Sequence, residues 1–144
     1  MNTRINVLKV APQAYKALMG LENYIETTAL KPVHRDLIKI RASQINGCAF
    51  CINMHTADAR KIGETEQRIY LLNAWRETDL FTEEEQAILA LTEEVTLIAS
   101  HVSDETYQNA ARLFDEKYLA DIIVMISTIN AWNRFGITSQ LRVS

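Results

Sequence analysis

Apolar positions along the chain recur at intervals of three and four residues, and a run of helices follows from them. Ala14, Leu18, Leu21 and Ile25 form one stripe, which stops at Thr27 and Thr28. Pro32 suits the first turn of a second helix, with Val33, Leu37 and Ile40 on one face. Asn46-Gly47 then breaks the chain, because both residues tolerate left-handed backbone. A third helix is expected to open at Cys48 and run to Lys61, with Gly63 as its cap. A short helix is expected over Glu66 to Trp75. Thr82 with Glu85 reads as a capping box, followed by a stripe of Ile88, Leu91, Val95 and Ile98. Glu83, Glu84 and Glu85 are read as a solvated helix start. Ser103 is placed to cap a helix carrying Tyr107, Ala110, Ala111 and Phe114. The last helix is expected from about Lys117 to Phe135, with Gly136 after it. The first ten residues alternate weakly at Ile5 and Val7 and are read as an extended arm.

The run Ile122-Ile-Val-Met-Ile126 makes the last helix apolar on several faces, and such a helix must be buried. Burial at the centre of the domain, with a second subunit over the remaining face, is the expected arrangement. The pattern predicts an all-α protein of about six helices, one domain over residues 1–144, with a buried C-terminal helix and an oligomeric state.

Composition sharpens this picture. Only four glycines and two prolines occur in 144 residues, which leaves long helices uninterrupted. The net charge of -3 and the lack of a basic patch argue against nucleic acid as a partner. Arg4 and Lys9 leave no apolar core for a secretory leader, and no apolar run approaches a membrane-spanning length. A cytoplasmic protein with no membrane association is expected. In a reducing compartment a cysteine pair points to thiol chemistry or metal binding before it points to a permanent staple.

That pair is Cys48 and Cys51, with His55 four residues further on. A helix opening after Gly47 places Cys48 among unpaired N–H groups, where an anion such as thiolate is favoured. Cys51 follows at CxxC spacing, on the same face, and His55 lies about one turn later on that side. An imidazole there can take a proton from a thiol or return one to a leaving group. Asp36, twelve residues before Cys48, sits on the helix that the Asn-Gly break folds back alongside. Its carboxylate is a candidate to orient His55 or to relay a proton through water.

The stretch from Asp36 to Thr56, DLIKIRASQINGCAFCINMHT, resembles the core of the alkylhydroperoxidase AhpD-like proteins, within the carboxymuconolactone decarboxylase superfamily. The likeness continues through Ala11-Pro12 to Leu18, Gly63 to Tyr70, Ala74 to Glu77 and Ile129 to Arg134. It implies an all-helical fold, assembly into trimers or hexamers, and reduction of hydroperoxides without a bound cofactor. By this resemblance Cys51 attacks the peroxide, Cys48 resolves the sulfenic acid to a disulfide, His55 is the acid/base, and Asp36 stands where the family has a glutamate. It also implies a reducing dithiol of lipoyl type as electron donor, carried by a lipoylated or thioredoxin-like partner. Phe50 stands where well-studied members have a histidine. The helix terminus favours Cys48 as the low-pKa thiol, while the resemblance and His55 favour Cys51; a neighbouring base can outweigh a dipole effect of about 0.3–1 kcal/mol.

Rival readings stand beside this one. Two cysteines can be small buried hydrophobes. Cys48, Cys51 and His55 could be three zinc ligands, but no fourth is evident. A redox sensor switching through the Cys48–Cys51 disulfide, and a lyase decarboxylating a lactone acid, are the functional alternatives. His34 is read as a surface or capping residue, His101 as a helix-end residue, and Trp75 and Trp132 as core or interface anchors.

Overall fold

The computed structural model describes residues 3–144. Among them are eight α-helices and no strand: α1 (Val7–Val10), α2 (Pro12–Glu26), α3 (Pro32–Asn46), α4 (Ala49–Lys61), α5 (Glu66–Tyr70), α6 (Glu83–Thr96), α7 (Asp104–Leu113) and α8 (Glu116–Thr138). Six of these have ten or more residues, in keeping with the number read from the sequence. Short 3-10 segments cover Leu72–Glu77 and Ile98–Ser100.

The boundary chemistry follows the sequence closely. Pro32 sits in the first turn of α3. Thr82 and Glu85 form the full capping box of α6, and Ser103 caps α7. Gly47 adopts φ +72, donates to the Gln44 carbonyl, and lets Cys48 N–H reach the Ser43 carbonyl. This is a Schellman closure, and it turns α4 back against α3.

Helices α3 and α8 are the two central elements. Ile38 and Ala42 of α3 join Ile122, Met125, Ile126 and Ile129 of α8 in one core, with Ile25, Ile88 and Leu91 packed around them. The other side of α3, Leu37 and Ile40, meets Ala59, Leu72, Trp75, Phe81 and Leu89 in a second core. A helix clamped between two cores has little freedom to shift, and α3 therefore gives α4 a rigid back wall.

Several expectations are corrected. The extended arm is wrong over Val7–Val10, which form a helical turn whose N–H at Lys9 is capped by the Asn6 side chain; residues 1 and 2 lie outside the described residues. The stretch Glu66 to Trp75 is no single helix: α5 ends at Tyr70, and a 3-10 segment with non-helical backbone at Ala74 follows. Leu21 is 43% exposed and Ala14 is also exposed, so Leu18 and Ile25 carry the buried stripe of α2. Ile98 lies beyond the end of α6 and is 56% exposed. Glu85 is buried, not solvated: Arg68 donates to both its oxygens, at 3.1 and 2.6 Å, and also to Glu64 at 2.8 Å. Buried carboxylates persist only when paired in this way. Gly136 lies inside α8, which runs two residues past it to Thr138.

Candidate functional site

Helix α4 opens at Cys48, whose Sγ accepts the N–H of Cys51 at 3.3 Å. Cys48 and Cys51 form a disulfide with Cα atoms 5.3 Å apart. Both side chains are nearly closed to solvent, at 2% and 4% exposure.

A buried amide network holds the α3–α4 turn in place. Asn46 Nδ2 donates to Asn130 Oδ1 and Asn133 Oδ1, each at 2.9 Å. Asn133 Nδ2 donates to Ser43 Oγ, and Asn130 Nδ2 to Thr96 Oγ1, each at 3.0 Å. The network binds the end of α3 to α8 and α6, and a satisfied buried network specifies one arrangement. It gives Asn130 and Asn133, which the sequence reading did not single out, a structural role. One turn beyond, Gly136 passes close beneath the disulfide. A Cβ there would stand 3.4 Å from Cys48 Sγ and 3.7 Å from Cys51 Sγ. Both distances are ordinary van der Waals contacts, so α8 packs directly against the disulfide at this glycine.

A cleft of about 710 Å³ opens beside the pair. Cys51, His55, Phe50 and Met54 reach it from α4, Lys39 from α3, and Trp132 and Gly136 from α8. Tyr15, Met19 and Glu22 of α2 form the opposite wall, and Leu8 and Leu141 the rim. Cys48 is not part of its lining. The surface is mainly apolar with a few convergent polar groups, the usual composition of a small-molecule site. Trp132 donates to Glu22 Oε1 at 2.9 Å and packs edge-on against Tyr15.

His55 has no hydrogen-bond partner among the described residues. Its pKa is pushed down to about 4, first by burial and then by the Lys39 charge, with Asp58 opposing. The imidazole is therefore neutral near pH 7, with a lone pair free to accept a proton. That value belongs to the oxidised protein; a thiolate at Cys51 would raise it.

Asp36 is half-buried, and burial raises its carboxyl pKa, with Lys39 and Arg35 pulling the other way. No hydrogen bond joins it to His55, and it does not line the cleft. The structure thus brings Cys51 and His55 onto one cavity, seats Cys48 directly behind, and leaves Asp36 outside it. Lys9, Glu22, Glu26 and Lys39 are charged residues of the cleft that the sequence reading did not place there, and of these Lys39 and Glu22 are the least exposed. A lysine on the cysteine-facing side of α3, one turn after Asp36, was the available signal.

His34 is corrected: it is 3% exposed, with Nδ1 2.6 Å from Tyr118 Oη. His101 is exposed, with φ +63, after the 3-10 turn at Ile98–Ser100. Trp75 is buried and donates to Glu93 at 3.2 Å. Among the described residues, no group of three or more histidine, cysteine or acidic side chains converges as a metal site. No helix there is long and apolar enough to cross a membrane.

The sequence model of the carboxymuconolactone decarboxylase family matches residues 12–94, more than half of the chain. The uncharacterized protein YdfG of Bacillus subtilis (strain 168) is 49% identical over 145 residues, spanning 100% of this chain and 99% of that protein. The crystal structure of ATU0492 from Agrobacterium tumefaciens, a protein of unknown function suggested to be an antioxidant defence AhpD, superposes with a TM-score of 0.94 at 40% identity, covering 99% of each chain. The debrominase Bmp8 shares the fold at 19% identity, with a TM-score of 0.81 over 95% of this chain and 74% of its own.

Proposed function

The chain belongs to the carboxymuconolactone decarboxylase family, and from that membership and the site geometry we propose that it is a thiol-dependent peroxidase of AhpD-like type. The observation that carries this reading is the shared cavity: Cys51 and His55 face one apolar cleft, and Cys48 is bonded to Cys51 from behind. Access argues for Cys51 as the attacking thiol. Cap geometry argues for Cys48 as the resolving one, since a thiolate there meets the N–H groups of the helix start.

In the reduced protein, Cys51 passes its proton to His55 and attacks the terminal oxygen of a hydroperoxide. The S–O bond forms as the O–O bond breaks, and the leaving alkoxide takes the proton back as an alcohol. Cys48 thiolate then attacks the Cys51 sulfenic acid; the S–S bond forms and the oxygen leaves as water once protonated. A dithiol, of lipoyl type or on a thioredoxin-like partner, returns two electrons by thiol–disulfide exchange. Asp36, outside the cleft, is assigned a supporting role as a proton relay through solvent. A cleft of this size suits an organic hydroperoxide with a bulky apolar body better than hydrogen peroxide alone.

The test is hydroperoxide consumption with a lipoyl dithiol as reductant. Cys51→Ser and Cys48→Ser are each expected to abolish turnover. Cys48→Ser should still consume one equivalent of peroxide and accumulate the Cys51 sulfenic acid, seen by mass spectrometry. Full turnover in either variant would overturn the scheme.

A further inference from the structure

Lys39 opens onto the same cleft as Cys51 and His55, with only 17% of its side chain exposed. Its partner is Glu22 of α2, at 4.0 Å, a separation too long for a hydrogen bond. Glu22 is itself held from the far side by Trp132 Nε1. Three helices thus fix a loosely matched ion pair in the cleft that Cys51 also lines, and the ammonium keeps its donors unspent. Other charges around the cleft are accounted for. Glu26 is paired with Arg35 at 2.8 Å, Lys9 stands exposed at the rim, Asp58 lies on α4 itself, and Asp36 lies one turn before Lys39. In a cavity walled by apolar side chains, a cation acts over a longer range than it does in water.

We propose that Lys39 is the positioning residue that sets the charge of this reaction centre, holding His55 neutral and favouring the thiolate of Cys51, with Glu22 as the counterweight that limits its effect. The inference rests on the reading of Cys51 as the reactive thiol. A fixed cation lowers the pKa of a neighbouring thiol and of a neighbouring imidazole alike, so Lys39 favours the Cys51 thiolate while the proton that His55 accepts is held weakly and is readily returned to the leaving alkoxide. The lowered pKa of His55, with the Lys39 charge second only to burial among its causes, agrees with this role.

The test reads thiol chemistry without any peroxide. Reduced wild-type protein, Lys39→Met, Lys39→Arg and Glu22→Gln are alkylated with iodoacetamide across pH, and each cysteine is quantified by peptide mass spectrometry. Lys39→Met should move the Cys51 midpoint up by about one pH unit, roughly a tenfold slower reaction below the midpoint. Lys39→Arg should restore the wild-type profile, and Glu22→Gln should move it down. An unchanged Cys51 midpoint in Lys39→Met, a shift confined to Cys48, or shifts of the same sign in Lys39→Met and Glu22→Gln would each overturn the proposal. If Lys39→Met does not fold, Glu22→Gln still decides it, since an unmoved or raised midpoint is fatal. A normal set of shifts in a protein that consumes no hydroperoxide would sink the peroxidase reading and leave Lys39 in place.

Discussion

His34 and His55 stand on neighbouring helices, both drawn away from water, and both are held below the usual imidazole pKa with burial as the first cause. Their surroundings differ. His34 is packed edge-on against Phe114 and Tyr118, and its Nδ1 meets the Tyr118 hydroxyl, which also accepts Lys31 N–H. Glu84 lies 4.0 Å from its Nε2. His55 has no such partner among the described residues, and its ring opens on an apolar cleft beside a cysteine. A buried histidine with its ring occupied by the protein is part of the packing. One left unoccupied in a cavity has capacity for a substrate's proton. The contrast between these two regions separates the stability of the fold from its chemistry more sharply than burial alone does.

The largest effect that probes this contrast is an exchange of phenotypes. His55→Gln should lower kcat/KM for hydroperoxide by about 10²–10⁴-fold while shifting stability by less than about 1 kcal/mol. His34→Ala should do the reverse, costing roughly 2–4 kcal/mol in urea unfolding through the lost packing and the lost hydrogen bond to Tyr118, with turnover per folded molecule within about twofold of wild type. Equal losses of turnover in the two variants would erase the distinction.

The pH dependence of stability sharpens it next. Below pH 6.5 the unfolded chain protonates its imidazoles, while the folded His55 stays neutral down to about 4. The unfolded state then binds more protons, so stability rises with pH across this window and is lost as pH falls through it, by roughly 1–3 kcal/mol. His34 contributes with the same sign. Urea unfolding of the oxidised protein at pH 4 to 7 should show this slope, and His55→Gln should flatten it in part. A slope untouched by His55→Gln would mean that this ring is not withheld from protons in the fold.

The smallest effect is expected from Asp36. Lacking a hydrogen bond to His55, it should matter less than the histidine: Asp36→Asn is expected to cost about three- to tenfold in kcat/KM, within the lower reach of general acid–base effects. Steady-state kinetics at pH 7 reads this directly. A loss as large as that of His55→Gln would make the carboxylate an equal member of the site.

Helices and caps were legible because they are local. Gly47, Thr82, Ser103 and Pro32 act on backbone within a few residues, so the turn before the cysteines could be read from its letters. Errors gathered where partners are remote. Val7–Val10 form a helical turn against the end of α8, where Val7 N–H donates to Ser139 Oγ at 3.1 Å, 132 residues away. Glu85 and His34 look like surface residues until Arg68 and Tyr118 arrive from elsewhere. Gly136 resembles a helix stop, yet α8 runs on to Thr138 and packs this residue beneath the disulfide.

By itself, then, the sequence determined an all-helical chain with a cysteine pair at a helix start and a histidine one turn on, because periodicity, capping and CxxC spacing are properties of short segments. Tertiary structure alone decided which sulfur faces a cavity, that Lys39 and Glu22 share it, that Asp36 does not, and that one histidine is filler while the other is free. Those facts depend on how α2, α3, α4 and α8 are packed, and close packing joins residues that the chain keeps far apart.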